Sequence, residues 1–171
     1  MEKTIEALKE ILETNPKNAN AWIELGQAYY HNGKIDKAID TYNQALKINP
    51  NDDINWQNLG YLYNEKEQYN KAIATLKKAL DINPNLSTAW TELSYAYIEI
   101  RDFEKTIDSC KSALSINPKD EAAWTNLGSA YYNKKQYNKA IEALKKALEI
   151  IPNLEFAQTV LKLAERAKKE K

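Results

Sequence analysis

The chain is poor in most residues on which chemistry depends. It has 171 residues, with one cysteine, one histidine and four glycines. A single cysteine, Cys110, rules out an intrachain disulfide and suits a reducing compartment. Four glycines leave little for a phosphate-cradling loop, and no Gly-rich phosphate motif occurs. His31 ends a first helix and Cys110 lies two units later on a second helix; with successive packed helices about 8–10 Å apart, the two are expected to be too distant for a nucleophile–base pair, and no His-Glu-x-x-His or paired Cys-x-x-Cys offers metal ligands. No apolar run approaches the roughly 18 residues of a membrane-spanning helix, and the charged N-terminus lacks a signal-peptide core. Excess charge is missing too: 24 Lys and Arg balance 24 Asp and Glu. No strong field recruits nucleic acid or acidic lipid. These absences point to a cytoplasmic protein that is not an enzyme and needs no cofactor.

What is present is a period. Trp22, Trp56, Trp90 and Trp124 are each separated by 34 residues, and Pro16, Pro50, Pro84, Pro118 and Pro152 keep the same step. Four units follow: 19–52, 53–86, 87–120 and 121–154. Each carries a first helical pattern, as in Trp22-Leu25-Gly26-Tyr29 and Trp90-Leu93-Ser94-Tyr97, spaced by three and four along one helix face. The recurring small residue predicts a close passage of another helix. A polar turn leads to a second pattern, as in Ala72-Ile73-Leu76-Ala79-Leu80, and Asn-Pro or Ile-Pro ends it. Asp36, Asn70 and Asn138 are expected to cap the second helices, with Asp102 or Glu104 in the third unit.

These residues resemble the tetratricopeptide repeat, a 34-residue helix–turn–helix unit. The likeness covers residues 19–154, about four-fifths of the chain. Ser94, Thr106 and Cys110 depart from its usual glycine, alanine and large apolar residue. Residues 1–18 read as a half repeat equivalent to a second helix, and 155–171 as a polar-backed capping helix. The half repeat is expected to leave Met1, Thr4 and Leu8 partly uncovered. The near-identity of the units also suits a piece of a longer array. The resemblance implies an all-α fold, a right-handed α–α superhelix of stacked repeats with the tryptophans in its core.

It further implies a non-catalytic scaffold whose first helices line a concave peptide groove. Carried onto this chain, the groove residues are Asn20, Ile23, Gln27 and Tyr30, then Gln57, Tyr61 and Asn64. The later units add Thr88, Thr91, Tyr95 and Ile98, then Thr125, Ser129 and Tyr132. Tyrosine combines contact area with a hydroxyl at low entropy cost, which suits peptide recognition. The family's carboxylate clamp for chaperone C-termini needs cations that the matching positions lack, and Glu92 would repel a carboxylate. The expected partner is therefore another protein or peptide, neutral or amphipathic, and not a nucleic acid. The alternative is a scaffold that assembles with itself, as a homo-oligomer through the N-terminal half repeat or the groove.

Overall fold

A computed structural model describes residues 2–170. It divides into two compact units, Met1–Pro84 and Asn85–Lys171. The first holds α1 (Glu2–Thr14), α2 (Ala19–His31), α3 (Ile35–Ile48), α4 (Asp53–Glu65) and α5 (Tyr69–Ile82). The second holds α6 (Ser87–Glu99), α7 (Phe103–Ile116), α8 (Glu121–Asn133), α9 (Tyr137–Ile150) and α10 (Glu155–Lys169). Within each unit, successive helices pack on one another, most extensively as the pairs α2–α3, α4–α5, α6–α7 and α8–α9.

Local chemistry sets the helix ends. Asn18, Asp52 and Asp120 cap α2, α4 and α8 by accepting the backbone N–H three residues on. The second helices differ from expectation. They start at Ile35, Tyr69 and Tyr137, so Asp36, Asn70 and Asn138 lie inside the first turn and do not cap. Their N-cap positions are Lys34, Gln68 and Gln136, which make no side-chain cap. Among α3, α5, α7 and α9 only α7 has a side-chain cap: Asp102 accepts from Lys105 N–H at 3.2 Å. Its carboxyl is held below the usual range, chiefly by a hydrogen bond from the Lys105 ammonium. The residue before each of Pro50, Pro84, Pro118 and Pro152 is extended, with φ of −124°, −135°, −124° and −125°.

Each helix pair is joined by a left-handed residue: Gly33 (φ 70°), Glu67 (56°), Arg101 (63°) and Lys135 (59°). The N–H just after it donates to the carbonyl of Tyr29, Tyr63, Tyr97 or Tyr131, at 2.8–2.9 Å. These bonds close each first helix in a Schellman turn.

The core of the first unit gathers Ile5, Leu8 and Leu12 of α1 with Leu25, Tyr42, Leu46, Leu59 and Leu62. In the second unit, Ile107, Cys110, Leu114 and Leu127 form one cluster, and Leu144 and Val160 belong to another. The tryptophans are half-buried and pack against these clusters from the side. The indole N–H of Trp22, Trp56 and Trp124 donates to the carbonyl of Pro16, Pro50 and Pro118, at 2.8–2.9 Å. They thus pin one helix pair to the turn that ended the one before. Gln158 of α10 makes the same bond to Pro152 at 2.8 Å.

Both ends depart from the sequence reading. Leu8 is buried, because α1 lies on α2 and completes its apolar cluster, while Thr4 is exposed. Met1 lies outside the described residues. Helix α10 is not uniformly polar on its outer side: Phe156 is 59% exposed and Leu163 45%. No described helix is long and apolar enough to cross a membrane.

Candidate functional site

In the first unit the two groove tyrosines meet. Tyr30, in the last turn of α2, and Tyr61, in the middle of α4, bring their hydroxyls to 2.9 Å. Their rings stand edge to face, with centroids 5.7 Å apart and an interplanar angle of 84°. The His31 ring packs at 5.6 Å from Tyr30, and its Nδ1 lies 2.7 Å from the Gln27 carbonyl. These groups line a hollow of about 460 Å³ together with Tyr42, Asn58 and Leu62.

The hollow has no acidic or lysine side chain in its wall. In that wall, burial and then the neighbouring Tyr30 push the Tyr42 phenol up to about 12, so that group stays neutral. Such a site offers aromatic faces, amides and hydroxyls to an uncharged segment. The sequence picked out Gln27, Tyr30 and Tyr61 here. His31 and Tyr42 also line it, although neither position lies on the first-helix strip. Asn20 is exposed, and Ile23 and Gln57 are half-buried.

Asn64 is different. It occupies the same helical position as Tyr30 but is only 4% exposed, since its shorter side chain ends below the surface.

The second unit offers less. Thr88 and Tyr95 are exposed, and Ile98 and Tyr132 half-buried, the latter with its ring 5.9 Å from that of Tyr137. The Thr91 hydroxyl lies 2.6 Å from a carboxylate oxygen of Asp120 and 3.1 Å from the Ser87 carbonyl. Thr125 and Ser129 are 6% and 5% exposed and donate to the carbonyls of Glu121 and Thr125 in their own helix. Expected on the binding strip, they lie beneath it, because short hydroxyl side chains bond back to the backbone instead of reaching out.

His31 and Cys110 fall in different units. His31 is exposed in the first unit. Cys110 is fully buried in the second, and burial pushes its thiol up to about 12, with the nearby Ser94 hydroxyl acting more weakly the other way. Among the described residues, no three His, Cys, Asp or Glu side chains group as metal ligands. A further hollow of about 430 Å³, between α1, α2 and α3, is walled by Trp22, Leu25 and Tyr29 and rimmed by Lys9, Glu13, Lys37 and Asp40.

The family model described as the C-terminal domain of cilia and flagella-associated protein 70, a tetratricopeptide-repeat domain, matches residues 2–150. No curated protein matches the chain. Among solved structures, a crystal structure of MamA is 26% identical, with 85% of each chain covered and a TM-score of 0.81. A second crystal structure of MamA is 28% identical over 88% of this chain and 82% of the other, at a TM-score of 0.82. MamA from residue 41 to its end, from Desulfovibrio magneticus RS-1, is 22% identical over 90% and 86%, at a TM-score of 0.82. The fold is accordingly an all-α tetratricopeptide-repeat solenoid, the class expected from the sequence.

Proposed function

The chain belongs to the family of the cilia and flagella-associated protein 70 C-terminal domain, and from that membership we propose a non-catalytic scaffold that holds a peptide or helical segment of another protein on its first helices. The repeating unit assigned is one helix pair, with borders at 19–52, 53–86, 87–120 and 121–154. Protein–protein scaffolding is the general role of tetratricopeptide repeats. The finer reading rests on one observation: Tyr30 and Tyr61 converge on a hollow without acidic or lysine side chains, with Gln27 and Asn58 in its wall. Tyrosine rings bind at low entropy cost, and amides can pair with a peptide main chain. A neutral or amphipathic segment is the occupant that such a wall favours. Asn20, Ile23 and Gln57 extend the same strip, and Thr88, Tyr95, Ile98 and Tyr132 are its counterparts in the second unit. The cytoplasm suits a protein whose single thiol is buried.

The test is partner capture with wild type and with Tyr30→Ala/Tyr61→Ala, after circular dichroism shows both folded. Loss of specific partners from the variant is expected; an unchanged set of partners overturns the reading. A second reading, assembly of the chain with itself, is favoured by a different observation. Phe156 and Leu163, seven residues apart on α10, are both exposed. The half repeat contributes less, because α1 buries Ile5, Leu8 and Leu12 and exposes Ile11. Sedimentation would show a concentration-dependent oligomer that Phe156→Ser/Leu163→Ser dissolves, and a strict monomer at high concentration rules it out.

A further inference from the structure

Two ion pairs repeat one geometry. Lys66, at the end of α4, meets Asp36 in the first turn of α3. Lys134, at the end of α8, meets Glu104 in the first turn of α7. In both, the lysine follows its acid by 30 residues. In both, the lysine is the more enclosed partner, at 28% against 80% exposure and 23% against 74%. The same step leads from Asn138, in the first turn of α9, to Lys168, in the last turn of α10. The lysine is kept and the acid has become an amide.

Lys168 and Asn138 line one hollow of about 510 Å³ with Lys135, Gln136, Tyr137 and Lys139. None of the six is acidic. Among the described residues, none of these three lysines has an ion-pair partner. Lys139 lies 5.5 Å from the centroid of the Tyr131 ring, a contact that leaves its charge uncompensated. The start of α9, with no side-chain cap, adds partial charge of the same sign. Lys168 thus stands where its two sister lysines each hold a carboxylate, with two more ammonium groups beside it.

We propose that the hollow between Lys135, Lys139 and Lys168 docks an acidic segment of a partner polypeptide, one of whose carboxylates takes the place that Asn138 leaves empty. The site stands apart from the tyrosine hollow, which lies in the other unit and favours an uncharged segment.

The test is fluorescence anisotropy of a labelled hexaglutamate peptide on the whole chain, with hexaglutamine as control. Hexaglutamate should bind and weaken as salt screens the charges. Each Lys→Gln change at 135, 139 or 168 should weaken it roughly two- to fivefold, and the triple variant by about tenfold or more. Asn138→Asp supplies the missing acid from within and should weaken hexaglutamate by about fivefold while keeping all three lysines. Circular dichroism checks that the variants, all at exposed positions, stay folded. Tyr30→Ala/Tyr61→Ala should bind hexaglutamate as wild type does, whatever it does to other partners. The proposal is overturned by failure of hexaglutamate to bind, by equal binding of hexaglutamine, or by no effect of either Asn138→Asp or the triple variant. Displacement by inorganic phosphate at the concentration at which unlabelled hexaglutamate competes would assign the hollow to a free oxyanion and overturn it as well.

Discussion

Gly60 facing Leu76 in the first unit and Ser94 facing Cys110 in the second are the same contact built in two ways. A Cβ added to Gly60 would lie 2.5 Å from Leu76 Cγ and 2.7 Å from its Cδ2. Gly128 faces Leu144 in the same manner, at 2.5 Å from Cγ. Ser94 carries the extra atoms that glycine lacks, and the opposing side chain is the smaller Cys110; both are fully buried. The sum of the two side chains is what the helix pair holds fixed, since a close-packed interior accepts neither surplus nor void. The two departures that looked separate in the sequence are one compensated exchange.

The comparison can be broken from either side. Enlarging Cys110→Leu against Ser94 should overpack the second unit and cost about 3 kcal/mol, read by urea unfolding. Adding Ser94→Gly to that variant recreates the first unit's pair and should recover about 1–2 kcal/mol as coupling in a double-mutant cycle; simple additivity would show that the two side chains are independent. Gly60→Ala brings its Cβ onto the branch carbon of Leu76 and should cost about 2 kcal/mol, even after roughly 1 kcal/mol of gained helix propensity.

Alkali separates the two pairs further. A thiol raised from 9.0 to about 12 on folding loses its protons first in the unfolded chain. Its stabilising contribution is therefore intact below pH 9 and falls as pH climbs from 9 towards 12, by about 1.4 kcal/mol per unit at most. Tyr42, raised from 10.0, adds its own loss only above pH 10. Unfolding by urea at pH 8 and 10 should show the drop, and Cys110→Ala should remove the part that begins at pH 9. The smallest expected effect concerns the turns. Arg101→Gly relieves a left-handed φ of 63° and should raise stability by about 0.5 kcal/mol. Gly33→Ala, where an added Cβ meets nothing within 4 Å, should lower it by about as much through φ alone, both read as thermal midpoints.

Helix pairing was legible because tryptophan, small residue, tyrosine and proline each recur at one period and each has one physical task. The caps were less legible. Asp36, Asn70 and Asn138 are good capping residues, yet the Schellman bonds to Tyr29, Tyr63 and Tyr131 fix the turn so that each second helix begins one residue before them. The binding strip was legible in register and not in depth. Positions 27, 61, 95 and 129 are equivalent, but Gln27, Tyr61 and Tyr95 reach the surface while Ser129 stops under it. Periodicity fixes the direction of a side chain; its length decides whether a ligand can touch it. His31 and Tyr42 enter the hollow from outside the strip: His31 ends the first helix, and Tyr42 comes from the apolar stripe of the second, whose period marks it as core and not as a contact.

The hydrogen bond from Trp22, Trp56 and Trp124 to the proline carbonyl has a spectroscopic consequence. Each indole sits half-buried at a junction, so its emission is expected to change when that junction opens. Gln158 demonstrates that an amide can hold the same carbonyl at the same spacing without fluorescing. The chain thereby carries the blank for its own reporter. Replacing all but one tryptophan with glutamine would leave a series of single-colour proteins, each watching a different seam of the array come apart.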